Sequence, residues 1–158
     1  MLLTNLIYVF NPQEQILLCA KKKTNSWFTV SLWKRNGAWG KVSEWETPLL
    51  AAQRELEEET MIQAPLESFE HMGIIHFSFA TKKEWDQECH VYCIKNYTGS
   101  FQESEEMKPQ WFNIANIPYA TMRADDIYRM PRMLAWEYVE YRFDFTDEGE
   151  IVKHEVLK

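Results

Sequence analysis

The chain has 158 residues, 46% of them hydrophobic and 15% aromatic, with no low-complexity tract; that is enough to bury a core without disulfides or a structural metal, and one domain spanning 1–158 is expected. A formal net charge of −7 excludes a footprint along a nucleic-acid duplex, which needs clustered Lys and Arg. The one basic run, Lys21-Lys22-Lys23, suffices only for a few phosphates.

In chain order, Leu2 to Phe10 is apolar and β-rich, Asn11-Pro12-Gln13 reads as a turn, and Gln15 to Ala20 as a second strand, so the chain is expected to open with a hairpin. Thr24 to Gly40 is irregular, with Trp27, Phe28, Trp33 and Trp39 among polar residues, the composition of a pocket wall or lid. Thr47-Pro48 starts a helix, Thr47 as N-cap and Pro48 in the first turn. Leu49, Ala52, Leu56 and Thr60 then recur at helical spacing as one apolar side. Gly73 to Phe79 alternates as a strand, Glu88 to Ile94 is another, and Lys108 to Ile114 a third. Asp125 to Glu140 reads as a helix interrupted by Pro131. Tyr141 to Phe145 and Ile151 to Leu157, around Asp147-Glu148-Gly149-Glu150, form a closing hairpin. Strands with two main helices predict an α/β or α+β domain, a mixed sheet packed by helices.

Cys19, Cys89 and Cys93 are odd in number and lie in apolar, strand-like segments; they read as reduced core thiols, and the Cys89–Cys93 pair lacks zinc-site spacing. The N-terminus lacks the features of a secretory leader, and no apolar run approaches the ~20 residues of a membrane span. A soluble, cytoplasmic monomer with no membrane partner is expected. His71, His76, His90 and His154 read as strand or surface residues.

The segment GKVSEWETPLLAAQRELEEETMI, from Gly40 to Ile62, puts Glu55, Glu57, Glu58 and Glu59 directly after Arg54. On a helix, Glu55, Glu58 and Glu59 share one face, Arg54 and Glu58 form an i,i+4 pair, and Glu57 points elsewhere. Such crowding is either a solvated acidic face or a site for a hard divalent cation such as Mg²⁺, which takes oxygen ligands and bridges to phosphates.

The spacing resembles the Nudix box: Gly40, five residues, Glu46, seven residues, Arg54-Glu55-Leu56, one residue, Glu58-Glu59, one residue, Met61, Ile62. Met61 departs, standing where that family has Gly. Trp45 and Trp39 also replace common glycines. The resemblance implies a Nudix-type α/β/α sandwich that hydrolyses nucleoside diphosphate derivatives with Mg²⁺ or Mn²⁺. It implies metal ligands at Glu55, Glu58 and Glu59 with the Gly40 region, a catalytic role for the same glutamates, and bracing by Arg54 and Glu46.

Beyond the box, GIIHFSF and HVYCIKNYTGSFQESEEMKPQWFNIANIPYATMRADD are similar to the oxidised-purine nucleoside triphosphatases, the MutT-like enzymes that clean the nucleotide pool. That likeness implies a purine contact at Asn36, an acidic pair reading the base edge at Asp125 and Asp126, wall aromatics at Phe77 and Phe79, a further acid near the metals at Glu106, and a pocket-edge lysine at Lys21. Arg123 stands where those enzymes place a base-stacking Trp; a guanidinium can stack too, and Trp27, Trp33 or Trp39 are the other candidate platforms. Two adjacent buried carboxyls cannot both ionise easily, so one is expected to hold a proton. The other reading of Asp125 and Asp126 is that they simply begin the next helix, where acids suit the dipole. The expected activity is metal-dependent hydrolysis of modified purine nucleoside triphosphates to the monophosphate and pyrophosphate. The alternatives are hydrolysis of another conjugate, such as a dinucleoside polyphosphate or ADP-ribose, and a non-catalytic nucleotide sensor.

Overall fold

A computed structural model of the chain describes residues 1–21, 35–103 and 107–158, with Lys21 described by its backbone alone. Trp27, Trp33 and Glu106, and most of the aromatic segment between Thr24 and Gly40, lie outside the described residues. The strands are β1 (Leu2–Val9), β2 (Gln15–Lys21), β3 (Ala38–Lys41), β4 (Glu70–Phe79), β5 (Gln87–Ile94), β6 (Met107–Asn113), β7 (Val139–Phe145) and β8 (Ile151–Val156); the helices are α1 (Pro48–Thr60) and α2 (Asp126–Leu134). Six strands form a mixed sheet in the order β3-β1-β5-β4-β7-β8, and β2 pairs with β6 in a second sheet. The β1–β5 and β4–β7 pairs are parallel, and β1–β3, β4–β5 and β7–β8 are antiparallel.

β1 explains the layering. Its last residues are apolar on both sides, so neither face can be left to water. Leu6 and Tyr8 join a core with Ile75, Phe77, Phe143 and the α2 residues Met130 and Met133. Ile7 and Val9 join a separate core with Ile94 and the α1 residues Ala52 and Leu56. The two helices therefore cover opposite faces of one sheet, the expected α/β/α sandwich. The three cysteines are free and buried, as expected of core thiols. Among the described residues no helix is long and apolar enough to cross a membrane.

Two expectations are corrected. β1 and β2 do not form an opening hairpin: a single bridge, Phe10 to Ile16, links their ends. The Asn11 side chain accepts from Gln13 N and Gln15 N, both at 3.0 Å, and Glu14 takes a positive φ of 58°. The sharp turn sends β2 to β6, because β1 is already paired on both edges. The helix expected over Asp125 to Glu140 ends at Leu134. Pro131 lies inside it and lacks the N–H for a bond one turn back. Trp136 then takes a left-handed φ of 63°, and Val139 already pairs with Gly73.

Gly73 is required by that pairing. A Cβ on it would fall 2.0 Å from the backbone oxygen of Val139, which β7 cannot move without breaking its ladder. Gly73→Ala should lower stability by about 1–3 kcal/mol, read as a shift of the urea midpoint; an unchanged midpoint would show that the β4–β7 contact is looser than described.

Candidate active site

The Gly40–Ile62 segment is set by its helix. Thr47 Oγ1 accepts from Leu50 N at 3.2 Å with Pro48 in the first turn, as the sequence predicts. Ala51, Ala52, Leu56 and Thr60 are the buried residues, which turns Glu55 and Glu59 toward β3 and leaves Glu58 outside. Glu55 rests on Gly40: a Cβ there would lie 2.1 Å from the Glu55 carboxyl carbon. Glu59 Oε2 accepts from the backbone N–H of Trp39 at 3.1 Å. Glu57 stands apart and accepts from Gln63 at 2.8 Å.

Arg54 binds this region together. Its Nε donates to Glu46 Oε2 at 3.1 Å, and Nη2 pairs with Glu46 Oε1 and reaches Lys41 O at 3.3 Å. Its Nη1 donates to Glu55 Oε1 at 2.8 Å and to Glu58 Oε2 at 3.2 Å. Glu46 also accepts from Ser43 N at 2.9 Å. Its hydrogen bonds from the Arg54 guanidinium, aided by Ser43, hold its carboxyl down at about 2. Burial pushes the Glu55 carboxyl up; Arg54 opposes this, and Glu58 and Glu46 add to it. A purely solvated face fits Glu58, whose side chain is 59% exposed, but not Glu55, at 15%. Among the described residues no three acidic, His or Cys side chains converge as a finished metal cage. Glu55, Glu58 and Glu59 nonetheless supply the oxygen-only donor set that suits Mg²⁺ or Mn²⁺.

The second group of predicted residues lies on the opposite face of the sheet. The backbone of Asn36 is clamped to β2 by two hydrogen bonds with Cys19, at 2.6 and 3.0 Å. Its Oδ1 accepts from Tyr8 Oη at 2.5 Å and Gly37 N at 2.9 Å, and its Nδ2 donates to Asp126 Oδ2 at 3.5 Å. Arg129 Nη2 donates to Tyr8 Oη at 2.8 Å and also pairs with Asp126 Oδ1. Arg129, Tyr8, Asn36 and Asp126 thus close a ring of hydrogen bonds joining β1, the approach to β3, and α2.

Asp125 and Asp126 do begin α2, but neither caps it; both carboxyls turn inward and are fully buried. Asp125 accepts from Arg123 Nε at 2.9 Å, Arg123 Nη2 at 3.4 Å and Arg129 Nε at 2.9 Å. Burial pushes its carboxyl up, but the charges and hydrogen bonds of Arg123 and Arg129 outweigh this and hold it low. Asp126 is pushed up to about 7 by burial and by the Asp125 charge, against Arg129 and Arg123. The two acids therefore separate in proton affinity. Arg123 lies 4.4 Å over the Phe77 ring; Phe77 and Phe79 are buried in the core against Phe145. Lys21 is placed only by its backbone pairing with Met107. Sequence reading missed Tyr8 and Arg129; the signal for Arg129 was its i,i+3 and i,i+4 spacing from the two aspartates.

The sequence profile of the NUDIX domain matches residues 3–136. The chain belongs to the NUDIX domain family. An "Oxidized purine nucleoside triphosphate hydrolase" of Danio rerio is 37% identical over 154 residues, covering 98% of this chain and 93% of that protein. A protein of the same description from Mus musculus is 35% identical, over 96% and 92%. Among solved structures, a Bacillus halodurans MutT protein superposes with a TM-score of 0.84 at 19% identity, covering 99% of this chain and 98% of that one. The NUDIX domain of Shewanella oneidensis NrtR, in complex with ADP ribose, does so with 0.67 at 15% identity, over 86% and 88%. These two share the fold.

Two of the three departures from the Nudix box, Met61 and Trp45, have a physical account. Met61 keeps the left-handed cap that Gly normally fills, with φ 68°, and its N–H still bonds Glu57 O at 2.9 Å. Trp45 is 87% exposed, and the Glu46–Arg54 brace beside it is intact. Met61→Gly should relieve the cap and raise stability by about 1 kcal/mol, measured by urea unfolding; a loss would mean that the Met61 side chain contributes packing.

Asp126 holds its proton in the folded chain up to about 7, against 3.8 for an ordinary aspartate. Between those values the folded chain binds the extra proton, so the stability from this group is present at low pH and lost as pH rises toward its folded value. Asp125 acts the opposite way, but below the usual aspartate range. Lowering pH from about 8 to about 5.5 should therefore stabilise the wild type relative to Asp126→Asn; a constant gap between their urea midpoints would show that Asp126 is ionised throughout.

Proposed function

We propose that this Nudix chain hydrolyses oxidised purine nucleoside triphosphates to the monophosphate and pyrophosphate. The observation that carries the reading is Glu55 seated on Gly40 and tied through Arg54 to Glu46 and Glu58, with Glu59 on the Trp39 amide. The substrate class is supported by the near-full-length Danio rerio and Mus musculus relatives.

Glu55, Glu58 and Glu59, with the Gly40 backbone and Glu106, would hold Mg²⁺ or Mn²⁺. When bound, such an ion offsets phosphate charge and lowers the pKa of a coordinated water. Glu58 is the carboxylate that can exchange partners most easily. Its exposed i,i+4 pair with Arg54 is worth only about 0.3–0.5 kcal/mol. Glu55 and Glu59 keep fixed positions because β3 and Arg54 hold them. Arg54 keeps the loop after Gly40 against α1 while the phosphates are held, which is an orienting role. On the other face, Asn36, Asp125, Asp126, Phe77, Phe79 and Arg123 would surround the purine, with Phe77 and Arg123 setting the plane. In this reading the base and the phosphates would meet different environments, one buried and one acidic and cation-dependent.

The test is pyrophosphate release with Mg²⁺ from ordinary and oxidised purine triphosphates, a dinucleoside polyphosphate and ADP-ribose. Glu58→Gln should reduce turnover at least about 100-fold, and a chelator should abolish it reversibly. Turnover confined to the conjugates would replace the substrate class. Nucleotide binding without turnover of any substrate would make the chain a sensor.

A further inference from the structure

Two arginines and two aspartates are buried together beside Phe77, and their hydrogen bonds decide what remains for a ligand. Both Asp125 oxygens are taken by Arg123 and Arg129. Asp126 is taken by Arg129 and Asn36. Asn36 Oδ1 already accepts from Tyr8 and Gly37. The acids and the amide are therefore engaged with the protein itself.

Arg123 differs from all of these. Its Nε and Nη2 face Asp125, while Nη1 bonds none of the described residues. Its side chain is 7% exposed, against 2% for Arg129. Phe77 covers one face of the guanidinium at 4.4 Å, and Asp125 fixes its rotation. What this arrangement leaves available is a rigid, permanently charged donor with no acceptor.

We propose that Arg123, positioned by Asp125, sets base specificity at this site and selects purines that carry a carbonyl at C6 over those that carry an amine there. The assignment rests on the nucleotide reading above. A 6-keto purine presents the acceptor O6 to a guanidinium N–H, in its 8-oxo form as well, where N7 carries a proton; a 6-amino purine presents an N–H₂ donor in the O6 position. Donor against donor leaves both groups unpaired at a guanidinium that is only 7% exposed, and no proton transfer can repair it, because Arg keeps its charge. The Phe77–guanidinium stack limits the tilt by which an amine could avoid the clash.

The experiment compares kcat/KM for deoxyinosine and deoxyadenosine triphosphates, and for their 8-oxo forms, pairs that differ at C6 and in the N1 proton that accompanies the carbonyl. Wild type should prefer the keto member by about tenfold or more. Arg123→Gln offers both a donor and an acceptor, so it should bring the ratio toward one mainly by raising turnover of the amino member. Arg123→Lys keeps the charge and should retain the preference while weakening binding of both. Cooperative thermal unfolding of each variant confirms that it folds. A wild-type ratio near one, or an equal loss on both bases in Arg123→Gln, would overturn the assignment and leave Arg123 a structural partner of Asp125. If no triphosphate is hydrolysed, the hydrolase reading fails by itself. Calorimetric binding of the two monophosphates then decides Arg123: a keto preference lost in Arg123→Gln upholds it, and equal affinities overturn it.

Discussion

Arg54 is the contact on which the Gly40–Ile62 segment depends. Three carboxylates meet one guanidinium: Glu46 from the loop, Glu55 half-buried on Gly40, and Glu58 exposed. Without that positive charge the loop would lose its tie to α1, and Glu55 would face Glu46 and Glu58 with nothing between them. The bonds are unequal. Glu46 is held by two nitrogens and by Ser43, whereas Glu58 is held by one nitrogen that it shares with Glu55. The arrangement is rigid where it joins the fold and yielding where it meets solvent.

The other crowded acids are treated in the opposite way. Asp125 and Asp126 are fully buried, and two arginines compensate them. Burial makes an unpaired charge far more costly there than at the Arg54 edge. The ring through Tyr8 and Asn36 engages Asp126 and Arg129 as well, so both carboxylates are already bound by the protein. One sheet thus carries two acidic groups held differently: an open one tied by Arg54, and a closed one tied by Arg123 and Arg129. β1 holds them in register, since Tyr8 enters the closed group while Asn5, three positions earlier, pairs with Gly40 in the open one.

Local rules made much of this legible. The Thr47-Pro48 start, the strand limits to within a few residues and the carboxylate face of α1 all follow from spacing and capping, because each depends on neighbours within a few positions. What was not legible depends on distant partners. The opening hairpin was a sound local reading, yet β1 has its edges filled by β3 and β5, which lie far along the chain. The helix expected to reach Glu140 is cut short because Val139 is needed beside Gly73. Tyr8 looked like an ordinary strand residue; its role appears only when Arg129, over a hundred positions later, reaches its hydroxyl at 2.8 Å.

The readings of the acidic pair show why alternatives drawn from sequence need not exclude one another. Asp125 and Asp126 begin α2 as helix-starting acids do, and the same backbone turn points both carboxyls inward instead of at the first-turn amides. The expectation that one of two adjacent acids keeps a proton also agrees with the separation of Asp126 from Asp125. The cause is more specific than adjacency. Arg123 and Arg129 both reach Asp125, and only Arg129 reaches Asp126. With two guanidinium contacts against one, Asp125 is held low and Asp126 is pushed up. The Arg123 guanidinium therefore helps to separate the two acids.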